Sequence, residues 1–190
     1  TEFPSQSFMV PFTDLSRISG DANDGIYEVV KTLPAEYAGG QWSISNAWIR
    51  DLVNNYNQFT ADDLSNVGFD VSFVLENTSS ADTTPPDLVD LSISPVVNLT
   101  SGEREITFTA HITDDISGNG GTDMNDSTGF VFANTEFPNQ SFMVPFTDLS
   151  RISGDANDGI YEVTKTLPAE YAGGQWSISN AWIRDLVNNY

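Results

Sequence analysis

Glu105-Ile-Thr-Phe-Thr-Ala-His-Ile-Thr113 carries its structure in its spacing. Ile106, Phe108, Ala110 and Ile112 alternate with Glu105, Thr107, Thr109, His111 and Thr113. Residues two apart share a face only on an extended strand, so one face is apolar and needs cover while the other tolerates water. The same period of two runs through Val89, Leu91 and Ile93 against Asp90, Ser92 and Ser94. It returns in Phe69, Val71, Phe73 and Leu75, with Val74 facing outward. Gly129–Ala133, Phe142–Phe146, Ile160–Leu167 and Gln175–Ile183 bring the expected strands to about seven. Lys165 falls on the inward parity with Tyr161, Val163 and Leu167. That asks either for a place at the sheet margin or for a bulge that resets the parity. One helix is expected over Ala61–Val67, with Thr60-Ala-Asp-Asp63 as its capping box and Gly68 as its stop.

Working outward, residues Thr1–Tyr56 recur as Thr135–Tyr190 with two differences, Ser5 against Asn139 and Val30 against Thr164. The offset of 134 residues is the size of a whole domain rather than of a solenoid repeat. Short antiparallel strands in units of that size lead to an all-β fold, an immunoglobulin-like β-sandwich repeated with period 134. The polar run Asn77-Thr-Ser-Ser-Ala-Asp-Thr-Thr-Pro-Pro86 reads as a linker, because it offers no core residues and Pro-Pro holds the chain extended. The expected organisation is therefore residues 1–77 as the C-terminal part of one repeat, 78–86 as linker, and 87–190 as the next repeat lacking its last strand. The phase of the repeat leads to the expectation of an internal piece of a longer array, with any secretion signal or anchor outside it.

Seven Lys and Arg against 27 Asp and Glu give a net charge of −20. That balance speaks against nucleic acid and against an anionic membrane surface. With no cysteine, disulfides and thiolate metal sites are excluded. No apolar run approaches the ~20 residues of a membrane-spanning helix.

The order of short motifs carries a resemblance. Asp82-Thr-Thr-Pro-Pro86, Thr113-Asp-Asp-Ile-Ser-Gly118, Gly154-Asp-Ala-Asn-Asp-Gly-Ile-Tyr161, Gln175-Trp-Ser-Ile-Ser179 and Ile183-Arg-Asp-Leu-Val-Asn188 follow one another along the repeat. Together they resemble the bacterial immunoglobulin-like tandem repeats of large secreted cell-surface adhesins. Leu186-Val-Asn188 departs from the Ala-Gly-Asn usual there, which leaves the geometry of that loop open. The resemblance implies an elongated, extracellular rod, often stiffened by calcium.

Strand parity adds a geometric expectation. In an up-and-down succession alternate loops lie at one end, so Asp82, Asp114, Asp115, Asp155, Asp158 and Asp185 converge where one repeat meets the next. Carboxylates gathered in this way suit Ca²⁺, which takes six to eight oxygen ligands. The same Asp, Asn and Gly clusters are also ordinary turn sequences, and both readings stand at this point.

Other chemistries find little footing. His111, the only histidine, is on an outward strand position without a partner histidine or cysteine, and no serine lies in a nucleophile elbow, so no catalytic residues are assigned. Asp21-Ala-Asn-Asp-Gly25 is too short for an EF-hand loop and lacks its Glu. Asn77, Asn98, Asn125 and Asn139 stand in glycosylation sequons. The leading expectation is a structural repeat of an extracellular cell-surface stalk, adhesin or fibre, whose partners are neighbouring repeats or identical chains, with head-to-tail strand complementation as a route of assembly. A carbohydrate- or protein-binding adhesive module is the alternative, resting on Trp42, Trp48, Trp176, Trp182 and the Asp51–Gly68 segment.

Overall fold

The computed structural model describes residues 6–121 and 128–190. Its elements are β1 (Arg17–Gly20), β2 (Gly25–Tyr27), β3 (Gly40–Ser43), β4 (Ala47–Arg50), β5 (Tyr56–Phe59), α1 (Ala61–Asn66), β6 (Ser72–Leu75), β7 (Asp87–Ile93), β8 (Arg104–Thr113), β9 (Thr128–Asn134), β10 (Ser141–Phe146), β11 (Arg151–Gly154), β12 (Asp158–Leu167) and β13 (Trp176–Trp182). Among the described residues the chain is all-β apart from α1 and two short 3-10 turns.

β7–β13 form two antiparallel sheets, ordered β11-β12-β8-β7 and β10-β9-β13. Ile106, Phe108, Ala110 and Ile112 of β8 meet Phe130 and Phe132 of β9, Phe142, Val144 and Phe146 of β10, and Tyr161 and Leu167 of β12 in one buried core. The rings interlock, with Phe108–Phe132 centroids 5.2 Å apart and Phe130–Phe146 edge-on at 5.7 Å. β8 follows the alternation read from its sequence. β12 pairs with β8 without a break from Asp158↔Thr113 to Leu167↔Arg104, so no bulge resets Lys165, which stays on the inward parity, half-buried. β7 does carry a bulge, between Leu88 and Asp90. It turns Leu88 inward beside Leu91 and Ile93 and leaves Val89 56% exposed, against the expectation for Val89.

The upstream copy repeats local structure but not its cover. The β1–β2 hairpin pairs Arg17↔Tyr27, Ser19↔Ile26 and Gly20↔Gly25; β11–β12 pairs Arg151↔Tyr161, Ser153↔Ile160 and Gly154↔Gly159, with the same irregularity. Val144 and Phe146 are fully buried, whereas their counterparts Val10 and Phe12 are 38% and 62% exposed, because among the described residues no counterparts of β7–β9 cover them. β6 pairs antiparallel with β3, from Gly40↔Leu75 to Ser43↔Ser72. The counterpart of β3 is Gly174–Ser177, where β13 begins, and β13 ends its sheet with one side open. α1 starts as its sequence directs: Asp63 N–H donates to Thr60 Oγ1 (3.2 Å) and Thr60 N–H to Asp63 Oδ2 (2.8 Å).

Candidate metal centre

Three loops meet where the two copies adjoin. Asp114 N–H donates to Asn157 O (2.8 Å), Asn119 N–H to Ala156 O (2.8 Å), Gly120 N–H to Arg184 O (2.9 Å) and Leu186 N–H to Gly118 O (3.1 Å). The linker is held by the same cluster. Asp82 is fully buried, its Oδ2 accepts from Ser117 N–H (2.8 Å), and its N–H donates to Glu36 O of the upstream copy (3.0 Å). Gln6 Nε2 and Asn189 Nδ2 both donate to the Asp82 carbonyl.

Within this cluster Asp82, Asp114 and Asp115 each bring a carboxylate oxygen within 4.8 Å of the others. Asp115 reaches the linker through Thr84, whose hydroxyl donates to its Oδ1 (2.7 Å). Asp114 Oδ2 accepts from Ile116 N–H (3.1 Å) and Gly118 N–H (2.6 Å). Its Oδ1 is buried with no hydrogen-bond partner, as is Ser117 Oγ. Burial raises the Asp114 carboxyl above its ordinary range; the Gly118 and Ile116 amides oppose this, and the charges of Asp82 and Asp115 reinforce it. Three gathered carboxylates, an orphaned buried oxygen and a carboxyl destabilised as an anion together fit a hard cation.

Asp185 stands as a fourth acid, 2% exposed. Its Oδ1 accepts from Val187 N–H (3.0 Å) and Asn189 N–H (2.8 Å), and its Oδ2 from Asn189 Nδ2. Its pKa is pushed up to about 6, first by burial, with Asp82 and Asp114 adding repulsion against the opposing Asn189 bonds. The remaining two expected ligands point elsewhere. Asp155 Oδ1 accepts from Asn157 N–H (2.9 Å) and Asp158 N–H (3.0 Å), a closed Asx turn. Asp158 Oδ1 lies 2.7 Å from His111 Nε2 on the outer sheet surface.

Residues beyond the acids complete the joint. Val187 is fully buried against Tyr37 and Trp42, with Phe8, Leu33 and Leu75 around it. Asn188 Nδ2 donates to Ser7 O (3.1 Å). The apolar pair Leu186-Val187 between Asp185 and Asn188 in a polar loop was the only signal for this contact. Trp42 is buried, while Trp48 is 48% exposed; Trp176 packs against the core, and Trp182 lies over the Gly129 backbone. Asn77 Nδ2 already donates to Ala35 O (2.7 Å) and to Tyr37 O, and the sequon at Asn125 lies outside the described residues. Among the described residues no helix is long and apolar enough to cross a membrane. No protein-family model, no curated protein and no solved structure matches the chain.

Proposed function

We propose that this chain spans parts of two adjoining units of a tandem immunoglobulin-like array that extends from a cell surface as a stalk, adhesin or fibre. The observation that carries the reading is the burial of Asp82. A linker residue with a carboxylate, surrounded by acids of the next unit, ties two units into one joint. The sheet orders β11-β12-β8-β7 and β10-β9-β13 are compatible with the two sheets of an immunoglobulin-like sandwich, which supports the fold assignment. The β3–β6 pair supplies the pattern for a strand beside the free edge of β13, and a β6-like segment would cover that edge by strand addition.

Asp82, Asp114 and Asp115 would hold Ca²⁺, with Asp185 beside them. The ion would neutralise their mutual repulsion, and the linker would then order against both units. Because the copies are nearly identical, one joint geometry repeats and generates a straight or regularly wound rod. Small-angle X-ray scattering tests this. In calcium the maximum dimension should be larger and the profile that of a stiff rod, and chelator should broaden the distribution. Identical profiles in both would contradict the proposal.

The adhesive alternative has one feature in its favour. Ile49, Phe59, Leu64, Val67 and Phe69, with Asn57, Gln58 and Asp63, line a groove, and Trp48 on the same strand as Ile49 is exposed. Trp48 fluorescence that changes on addition of candidate glycans or proteins would support it.

A further inference from the structure

The polar stretch that leads to Asp82 is strapped onto the upstream unit. Asn77 Nδ2 donates to Ala35 O (2.7 Å) and to Tyr37 O. Ser79 N–H donates to Asn77 Oδ1 (2.9 Å), an Asx turn that holds the Asn77 side chain in place. Ser79 Oγ lies 3.0 Å from Ala35 O and 2.6 Å from Asn77 Oδ1. Asp82 N–H then donates to Glu36 O (3.0 Å). Gln6 closes the set, its Oε1 accepting from Ala38 N–H (2.9 Å) while its Nε2 donates to Asp82 O. Each residue from Ala35 to Ala38 thus gives a peptide group to this contact. Gly39 lets the two backbones approach, since a Cβ there would lie 2.9 Å from Asn77 O.

None of these bonds uses a carboxylate, so no ion is needed to form them. Together they hold both the N–H and the carbonyl of Asp82 on the upstream unit. The Asp82 side chain is left to face the next one, where Ser117 N–H donates to Oδ2 (2.8 Å) and Asn189 Nδ2 lies 3.4 Å from Oδ1. Asn77 is the first anchor of the strap, and both hydrogens of its amide are engaged.

We infer that Asn77 is the positioning residue of the joint: it docks residues 77–82 on the upstream unit and so presents the Asp82 carboxylate to Asp114 and Asp115 before any ion arrives. The inference rests on reading the chain as adjoining units with a cation between them. It adds that the upstream unit, through the strap, sets the affinity of that site. Ordering a ligand in advance removes part of the entropic cost of binding, which is how residues outside the coordination shell contribute.

Amide hydrogen exchange of the full chain in chelator, followed by calcium titration, tests this. The Asp82 amide should be protected in chelator. Asn77→Leu keeps the size of the side chain, carries no charge and has no N–H to donate. It should free the Asp82 amide while the β8 amides stay protected, and weaken calcium binding about 10–100-fold. Ser79→Ala should shift both readouts the same way by less, and it decides the matter if Asn77→Leu also loses β8 protection. A freely exchanging Asp82 amide in the parent chain, or protection and affinity both unchanged in the variants, would overturn the inference. Asp82 protection that depends on Asn77 in a chain that binds no calcium would retain the strap and remove only the cation reading.

Discussion

Asp51 and Asp185 occupy the same place in the repeat and close the same loop with the same backbone bonds, yet their carboxyls are displaced in opposite directions. Asp51 is solvated, and its bonds, the Asn55 side chain first, hold it below its ordinary value. Asp185 keeps those bonds, but burial, with Asp82 and Asp114 nearby, raises it to about 6. The difference is made by the joint.

The sign of the resulting pH dependence follows from linkage. Between 3.8 and about 6 the folded chain retains a proton on Asp185 that the unfolded chain has released. That contribution to stability is full below 3.8 and is lost as pH rises through about 6. In chelator, thermal midpoints should fall across this window, and Asp185→Asn should flatten the fall. A midpoint that rises equally in both proteins would refute the assignment.

Asp82→Asn should abolish the calcium-dependent gain in thermal midpoint while leaving the chain folded, because the amide retains an acceptor for Ser117 N–H. Asp158→Asn, altering a carboxylate directed at His111, should leave the calcium response intact. Paired melts in calcium and chelator distinguish the two.

Val187→Ala removes most of a fully buried side chain from the joint and should destabilise it by about 1.5–3 kcal/mol. Val53→Ala, the same change in the same loop exposed to water, should stay within about 0.5 kcal/mol of wild type. Urea unfolding of the two variants side by side measures the contribution of position alone.

Gly120→Ala would set a Cβ 2.4 Å from the Asp185 carbonyl oxygen, so the acidic loop must move. A cost of about 1–3 kcal/mol is expected, together with a weakened calcium response. Gly173→Ala meets nothing within 4 Å and serves as the control in the same melts.

Much of the fold was legible because burial on one face imposes a period of two, as in β8. The bulge at Val89 was not, since it depends on the register against β8. The β4–β5 hairpin was missed because Trp48, Ile49, Tyr56 and Phe59 follow no clean alternation and much of it stays exposed. Strand parity brought the acidic loops to one end. Which aspartates face one another was beyond it, because Asp155 closes its own turn and Asp158 reaches His111. Val187 gave little warning, as its burial depends on residues Phe8, Tyr37 and Trp42 far away in the chain.

Calorimetric titration of calcium into the metal-free chain and into Asp82→Asn tests the central claim most directly. The account predicts one ion per chain at the joint, with a dissociation constant on the order of 10⁻⁴–10⁻³ M, as in extracellular modules, and its loss in the variant. No binding by the parent chain, or binding unchanged by Asp82→Asn, would contradict a cation held between the linker and the next unit.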